Sequence, residues 1–395
     1  MVSVGFWFDA PFDYAGGLNY LRNLLFALAQ VNDGSVRPVI FFASNVPAKV
    51  EAQFTPLARV VKTKLLQRWT PEWFVERVAN RLFGSMHLTT RLLLAEGVDV
   101  LSHVWFEYKG VPFRSIAWIP DFQYLHLPEH FPGLETGAET RRLQAIIAQS
   151  DRVIVSSHAA LEDFHRIAPP GAEKRASVLQ FVSQPRTTDS KESTIGVLQN
   201  KYGFEGKFFF LPNQFWAHKN HLTVFKAVKS LREDGTSVTV ICTGSTRDMR
   251  LRDNSHIDQL LRYLSDNDLS ENIRILGHVD YGDVLALMTH SIAVINPSRF
   301  EGWSSSVEEA KAMGKPVILS SIPVHVEQDP PFGCYFEPMD VERLAALLGE
   351  IWNSPPSKDQ QAEMALAAQR GLRERTLAYG RGYVDILKHV TRRRT

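Results

Sequence analysis

Short, near-continuous apolar runs alternating with helical stretches constrain this chain more than any other feature. "SVGFWFD", "RPVIFF", "VDVLSHV", "SIAWIPD" and "DRVIVSS" are interleaved with "LNYLRNLLFALAQV" and "ETRRLQAIIAQS". Further on, "KFFFLPN", "SVTVICTG", "IRILGHV", "IAVINPS" and "KPVILSS" are interleaved with "HLTVFKAVKSLRE", "GDVLALMTHS" and "SVEEAKAM". Strands that are apolar throughout are covered on both faces, and strands joined by helices run parallel. With 395 residues, 44% of them apolar, the chain fills two cores rather than one. The polar stretch "SQPRTTDSKEST" has no periodicity and places a hinge at residues 183 to 194. The expected fold is α/β, two doubly wound, Rossmann-like parallel-sheet domains facing a central cleft, because such sheets bind ligands beyond the carboxyl ends of their strands. The expected boundaries are 1–185 and 186–375, with a helical tail over 376–395 that returns to the first domain.

Charge and cysteine usage exclude several functions. A formal net charge of +1 provides no overall basic field, so no nucleic-acid partner is expected. Cys242 and Cys334 are distant single cysteines, neither a disulfide framework nor a metal spacing. The start of the chain carries Asp9 and Asp13 and no basic leader, and no run approaches the roughly 18 apolar residues of a membrane span. The expectation is a cytoplasmic protein. One stretch, "LARVVKTKLLQRWTPEWFVERVANRLFGSM", sets Arg59, Lys62, Lys64, Arg68, Arg77 and Arg81 against Glu72 and Glu76, interleaved with Trp69, Trp73, Phe74 and Phe83. It reads either as a solvated helix pair covering a core or as a peripheral contact with an anionic membrane at its inner face.

The stretch "INPSRFEGWSSSVEEAKAMGKPVIL" holds the densest chemistry. It reads as strand, loop, helix, strand, with Ser305 and Ser306 at a helix N-terminus, where free N–H groups and the helix dipole favour a diphosphate. Ser305 and Glu308 fit a Ser-x-x-Glu capping box, which leaves Glu301 and Glu309 unexplained. At about 100° per residue, Val307, Ala310 and Met313 face inward, Glu308 points nearly opposite as a surface or capping residue, and Glu309 lies on the flank as a ligand.

Other candidates stand at predicted strand ends. Lys219 follows "FFFLPN" just ahead of a helix and suits a phosphate; His218 and His221, without a third ligand, read as part of a polar loop. Gly16 and Gly17 follow the first strand and open a helix, where backbone can approach a phosphate or sugar. They do not form Gly-x-Gly-x-x-Gly, which argues against a dehydrogenase. "SIAWIPDFQYLHLPEHFPG" delivers Asp121 to a strand end, with Gln123, His126, Glu129 and His130 downstream. Asp121 as a helix cap and the histidines as a packed loop are the competing reading.

From about residue 200 to 345, and most clearly at Glu301 and Glu309, the chain resembles the retaining, nucleotide-sugar-dependent glycosyltransferases of family 4, with their Glu-x7-Glu motif and two-domain GT-B fold. The resemblance implies that Glu301 contacts the donor sugar, Glu309 the ribose and Lys219 the diphosphate. It places Gly16, Gly17, Gly244 and Val279 around the donor. Gln214 stands where the family has an arginine, with Arg299 and Arg247 as substitutes. Pro120 stands in place of the family's histidine, which leaves Asp121 and the weaker His126 as catalytic candidates beside Glu301 and Lys219. The implied reaction moves a hexose from a nucleoside diphosphate sugar to a hydroxyl of a glycan or lipid-linked acceptor, with retention, with no metal and no cofactor. A nucleotide-sugar epimerase or sugar phosphorylase of the same fold, or a non-catalytic sugar-nucleotide-binding protein, is the alternative.

Overall fold

The computed structural model describes all residues except 11, 13, 14, 84, 85, 106–112, 132–134, 186–193, 248–254 and 393–395. Most of the expected hinge, and Asp13, lie outside the described residues. The chain divides into two units: Met1–Phe122 with Glu135–Val182 and Glu374–Thr395, and Gln123–Leu134 with Ser183–Arg373.

The first unit is built on β1 (Val2–Trp7), β2 (Val36–Ala43), β3 (Arg59–Thr63), β4 (Val100–Val104), β5 (Arg114–Ile119), β6 (Arg152–Val155) and β7 (Ala176–Val178), in the order β3-β2-β1-β4-β5-β6-β7. The second is built on β8 (Phe209–Leu211), β9 (Val240–Cys242), β10 (Ile273–Ile275), β11 (Ala293–Asn296), β12 (Val317–Ser320) and β13 (Gly333–Phe336), in the order β10-β9-β8-β11-β12-β13. Every pairing among the described strands is parallel, as their apolar runs require. Each sheet reverses its direction of growth once, between β1 and β4 and between β8 and β11. At such a switch point neighbouring loops diverge and open a crevice at the carboxyl edge.

The long helix Lys358–Arg392 ends on the first unit. A Cβ on Gly380 would lie 2.6 Å from the Ala27 carbonyl oxygen, so only glycine allows that approach, and the buried Tyr383 hydroxyl donates to Ser102 Oγ at 2.6 Å. Beside it His103, at φ +61°, stands between the Tyr20 hydroxyl, 2.9 Å from Nε2, and Ser102 Oγ, 2.9 Å from Nδ1. Burial pushes its pKa down to about 3.

The basic aromatic stretch is not a helix pair. Residues 59–63 form β3, pairing Val39 to Arg59 through Ala43 to Thr63, and the helix Pro71–Phe83 follows. "RVVKT" is β-branched and half-polar, which suits an edge strand with one wet side. Among the described residues no helix is long and apolar enough to cross a membrane.

Candidate active site

The loops leaving β8 and β11 flank the switch point of the second sheet. The first runs into a tight turn, Ala217–Lys219, and the second into the helix Ser305–Met313. Together they bring Lys219 Nζ to 2.6 Å from Glu301 Oε1, and Ser298 Oγ donates to the same oxygen at 2.7 Å. The side chains of the pair are only 13% and 9% exposed. Burial pushes the Glu301 carboxyl up, but the Lys219 ammonium, His325 and the two hydrogen bonds outweigh it and hold the pKa below the ordinary carboxylate range. His325 is buried, with Nδ1 2.9 Å from the Ser320 carbonyl oxygen, and burial lowers its pKa to about 4.

Beneath the pair lies a buried polar floor that sequence reasoning missed. Asn296, the last residue of β11, donates to Ser304 Oγ at 2.8 Å and Ser306 Oγ at 3.2 Å, accepts from Asn213 at 3.1 Å, and has its side-chain oxygen 2.7 Å from Ser298 Oγ. The signal was available, an asparagine closing the otherwise apolar run "AVIN". Ser306 is therefore turned inward and buried, whereas Ser305 is exposed at the start of the helix.

Two expectations about this helix need correction. Ser304, not Ser305, is the N-cap, and it makes no side-chain capping bond; Gln328 instead brackets its backbone, accepting from the amide at 3.2 Å and donating to the carbonyl at 3.0 Å. Glu308 is not at the surface but buried, accepting from Gln328 Nε2 at 3.3 Å. The helix Pro323–Gln328 packs over that side, so the direction opposite the apolar stripe is protein rather than water. Glu309 is buried as well and accepts from the Tyr281 hydroxyl at 2.7 Å.

The remaining candidates of the second unit lie on the loops that follow its strands. The Gln214 side-chain oxygen accepts from Ser245 N at 2.6 Å, tying the loop after β8 to the loop after β9. Gly244 makes that approach possible. It sits at φ +135°, and a Cβ there would lie 2.5 Å from the Asn213 carbonyl oxygen. Gly244→Ala is expected to cost about 1–3 kcal/mol of stability and to spread the two loops, read as a lower urea midpoint with weaker ligand binding; an unchanged midpoint would refute this.

Val279 is half-buried between β10 and the helix Tyr281–His290, and Arg247 is exposed. Arg299 is exposed, with its guanidinium 4.0 Å from Glu129 Oε1. The His126 ring lies 5.1 Å from Phe300, so the Gln123–Leu134 segment lies against the loop that carries Glu301. His218 falls in the turn Ala217–Lys219 and His221 opens the helix His221–Glu233 rather than lying in a loop; both are buried, and His221 stacks on Phe215 at 4.2 Å. In the first unit, Gly16 and Gly17 fall in the first turn of the helix Ala15–Val31 beyond β1, and half-buried Asp121 lies just beyond β5. Both places are on the carboxyl edge of that sheet.

Two parallel-sheet α/β units of this order, each with a carboxyl-edge switch point, define the GT-B class of fold. Residues 198–370 match the family model "Glycosyl transferases group 1", so the second unit carries a domain of that group. The chain is similar to a glycosyltransferase from Rickettsia africae (15% identity, TM-score 0.69, 99% of this chain and 98% of that one). It is also similar to HepE from Anabaena in complex with UDP and glucose (14% identity, TM-score 0.68, 98% and 100%). In sequence it is 22% identical over 284 residues to the glycogen synthase of Mycobacterium tuberculosis, a match over 67% of this chain and 63% of that relative's length.

Proposed function

We propose that the protein is a glycosyltransferase that moves a hexose from a nucleoside diphosphate sugar to a hydroxyl of a glycan or glycolipid acceptor, with retention at the anomeric carbon. The observation that carries this reading is the Lys219–Glu301 pair at the β8/β11 switch point of a group 1 glycosyl transferase domain. An ammonium has three donors, and Glu301 engages one of them. The others suit the oxygens of a diphosphate, whose second anchor is the N-terminus of the helix at Ser305. The sugar then falls beside the charged Glu301 carboxylate, which accepts from its hydroxyls, and Glu309, oriented by Tyr281, accepts from the ribose.

As the bond from the anomeric carbon to phosphate breaks, its electron pair goes to the diphosphate, where Lys219 and the helix N-terminus stabilise the growing charge. Retention requires the acceptor oxygen to approach on the face that the diphosphate leaves. The departing phosphate oxygen is then the nearest base for the acceptor proton. Lys219 and the helix supply the counter-charge in this scheme, with no metal and no cofactor. Asp121, Gly16 and Gly17 enter it as residues on the carboxyl edge of the first unit. The fold shared with a UDP-and-glucose-bound relative supports a nucleotide-sugar donor.

A thermal-shift series with nucleoside diphosphates and their sugars tests this. A cognate ligand at 100 times its Kd is expected to add about 2.7 kcal/mol of stability. Glu309→Gln is expected to weaken nucleoside binding by about 1.5–3 kcal/mol through loss of a charged acceptor. Absence of a shift with every nucleoside diphosphate and every nucleotide sugar would sink the reading.

A further inference from the structure

The helix Pro71–Phe83 of the first unit is amphipathic in the wrong sense for a water-covered helix. At about 100° per residue, Phe74, Val78, Leu82 and Val75 span an arc of roughly 100°, Arg81 and Arg77 continue it on one side, and Glu76 lies opposite. The apolar arc faces outward: Phe74 is 61% exposed, Leu82 67% and Val75 55%. The inward side carries the glutamate, buried and accepting from the amides of Leu88 and Thr89 at 3.2 and 2.8 Å, where it caps the helix His87–Ala95. Trp69, just ahead of the helix, is 88% exposed.

Charge completes the pattern. Glu76 is spent on its cap, and Glu72 lies 3.6 Å from Lys64. Arg68 and Arg81 are exposed and, among the described residues, have no ion-pair partner. A two-fold pairing of this face with a second copy would confront like-charged arginines. Aromatic and aliphatic side chains edged by uncompensated arginines instead match the acyl boundary and phosphates of an anionic bilayer.

We propose that this face docks on an anionic lipid bilayer, with Trp69, Phe74, Val78 and Leu82 entering the headgroup boundary and Arg68 and Arg81 meeting lipid phosphates. A groove of about 500 Å³ adjoins this face, with Phe74, Val78 and Arg81 of the face forming one wall and Trp7, Asp9 and Met86 lining it toward the carboxyl end of β1. Docking would bring that groove to the membrane surface, where a lipid-borne acceptor presents its polar head; this corollary alone rests on the transferase reading.

The test is flotation of the full chain with phosphatidylcholine vesicles, with and without phosphatidylglycerol, at low salt and without donor, so its outcome is separate from that of the transfer reaction. The chain is expected to float with the anionic vesicles only, and to be released as salt rises. Replacing Phe74 and Leu82 together by Glu is expected to abolish flotation, and R68Q with R81Q to weaken partition on the order of 30-fold. All four side chains are exposed, so unchanged circular dichroism melts serve as the folding control. Absence of flotation with anionic vesicles overturns the proposal, as does wild-type flotation of the Phe74 and Leu82 double variant. A dimer lost in that variant, with no flotation, reassigns the face to self-association.

Discussion

Lys219→Met is expected to cost about 3–5 kcal/mol of stability and to lower turnover by about 100- to 1,000-fold. The first figure arises because the substitution leaves Glu301 nearly buried with a full charge and no cation, and not because a strong attraction is lost. Lys219 is the main counterweight to burial at this carboxyl, so in the variant burial pushes it up and proton uptake offers partial relief. Adding Glu301→Gln to Lys219→Met removes the orphaned charge and keeps an acceptor for Ser298 Oγ, so most of the stability should return. Transfer should not return, because the double variant has neither the cation facing the diphosphate nor the charged acceptor for the sugar. Urea unfolding followed in the second unit, with donor turnover on the same samples, reads both effects. If Lys219→Met unfolds at the midpoint of the double variant, the buried-charge account fails; if the double variant regains turnover, the site assignment fails.

What was legible in the sequence follows from where each residue sits in its sheet. Central strands such as β1, β8 and β11 are buried on both faces, so their apolar runs announced them, and with them the positions of Lys219 and Glu301 at strand ends. The strands left unread, β3, β7 and β13, are edge strands, short and partly wet, with patterns that resemble loops. The place of Glu309 on the helix flank was legible because register is local information, whereas its bond to Tyr281 was not. Glu308 was misplaced because its burial depends on the helix Pro323–Gln328, whose last residue is 20 positions downstream but stacked against it in space. Asn296 and Gln328 were missed for the same reason: a polar floor is defined by partners brought together from several loops, and no single stretch of sequence displays it.

Lowering the pH from 7 to about 4.5 is expected to destabilise the second unit by roughly 5 kcal/mol. Two of its buried histidines, His221 and His325, drive this. Burial, with a smaller contribution from His256, holds His221 down to about 3, and burial holds His325 down to about 4, although Glu301 pulls the latter upward. A histidine whose folded pKa lies below its unfolded value of 6.5 binds protons more readily in the unfolded chain. The stability it contributes is complete above pH 6.5 and is lost as pH falls toward the folded pKa, here about 2 to 3 kcal/mol from each at pH 4.5. Glu301 adds to the same trend only further down, since its lowered pKa places its loss below the ordinary carboxylate range. In the first unit His103 is such a group among the described residues, and its loss at pH 4.5 should be about half as much. The second unit should therefore melt first in mild acid, with donor-site ligands failing to bind before the first unit unfolds. His221→Phe keeps the stack on Phe215 and removes the titrating ring, so the acid loss of the second unit should fall by about half. Thermal unfolding of both proteins at pH 7 and pH 4.5 decides the matter: an identical pH dependence would show that His221 does not titrate in this window.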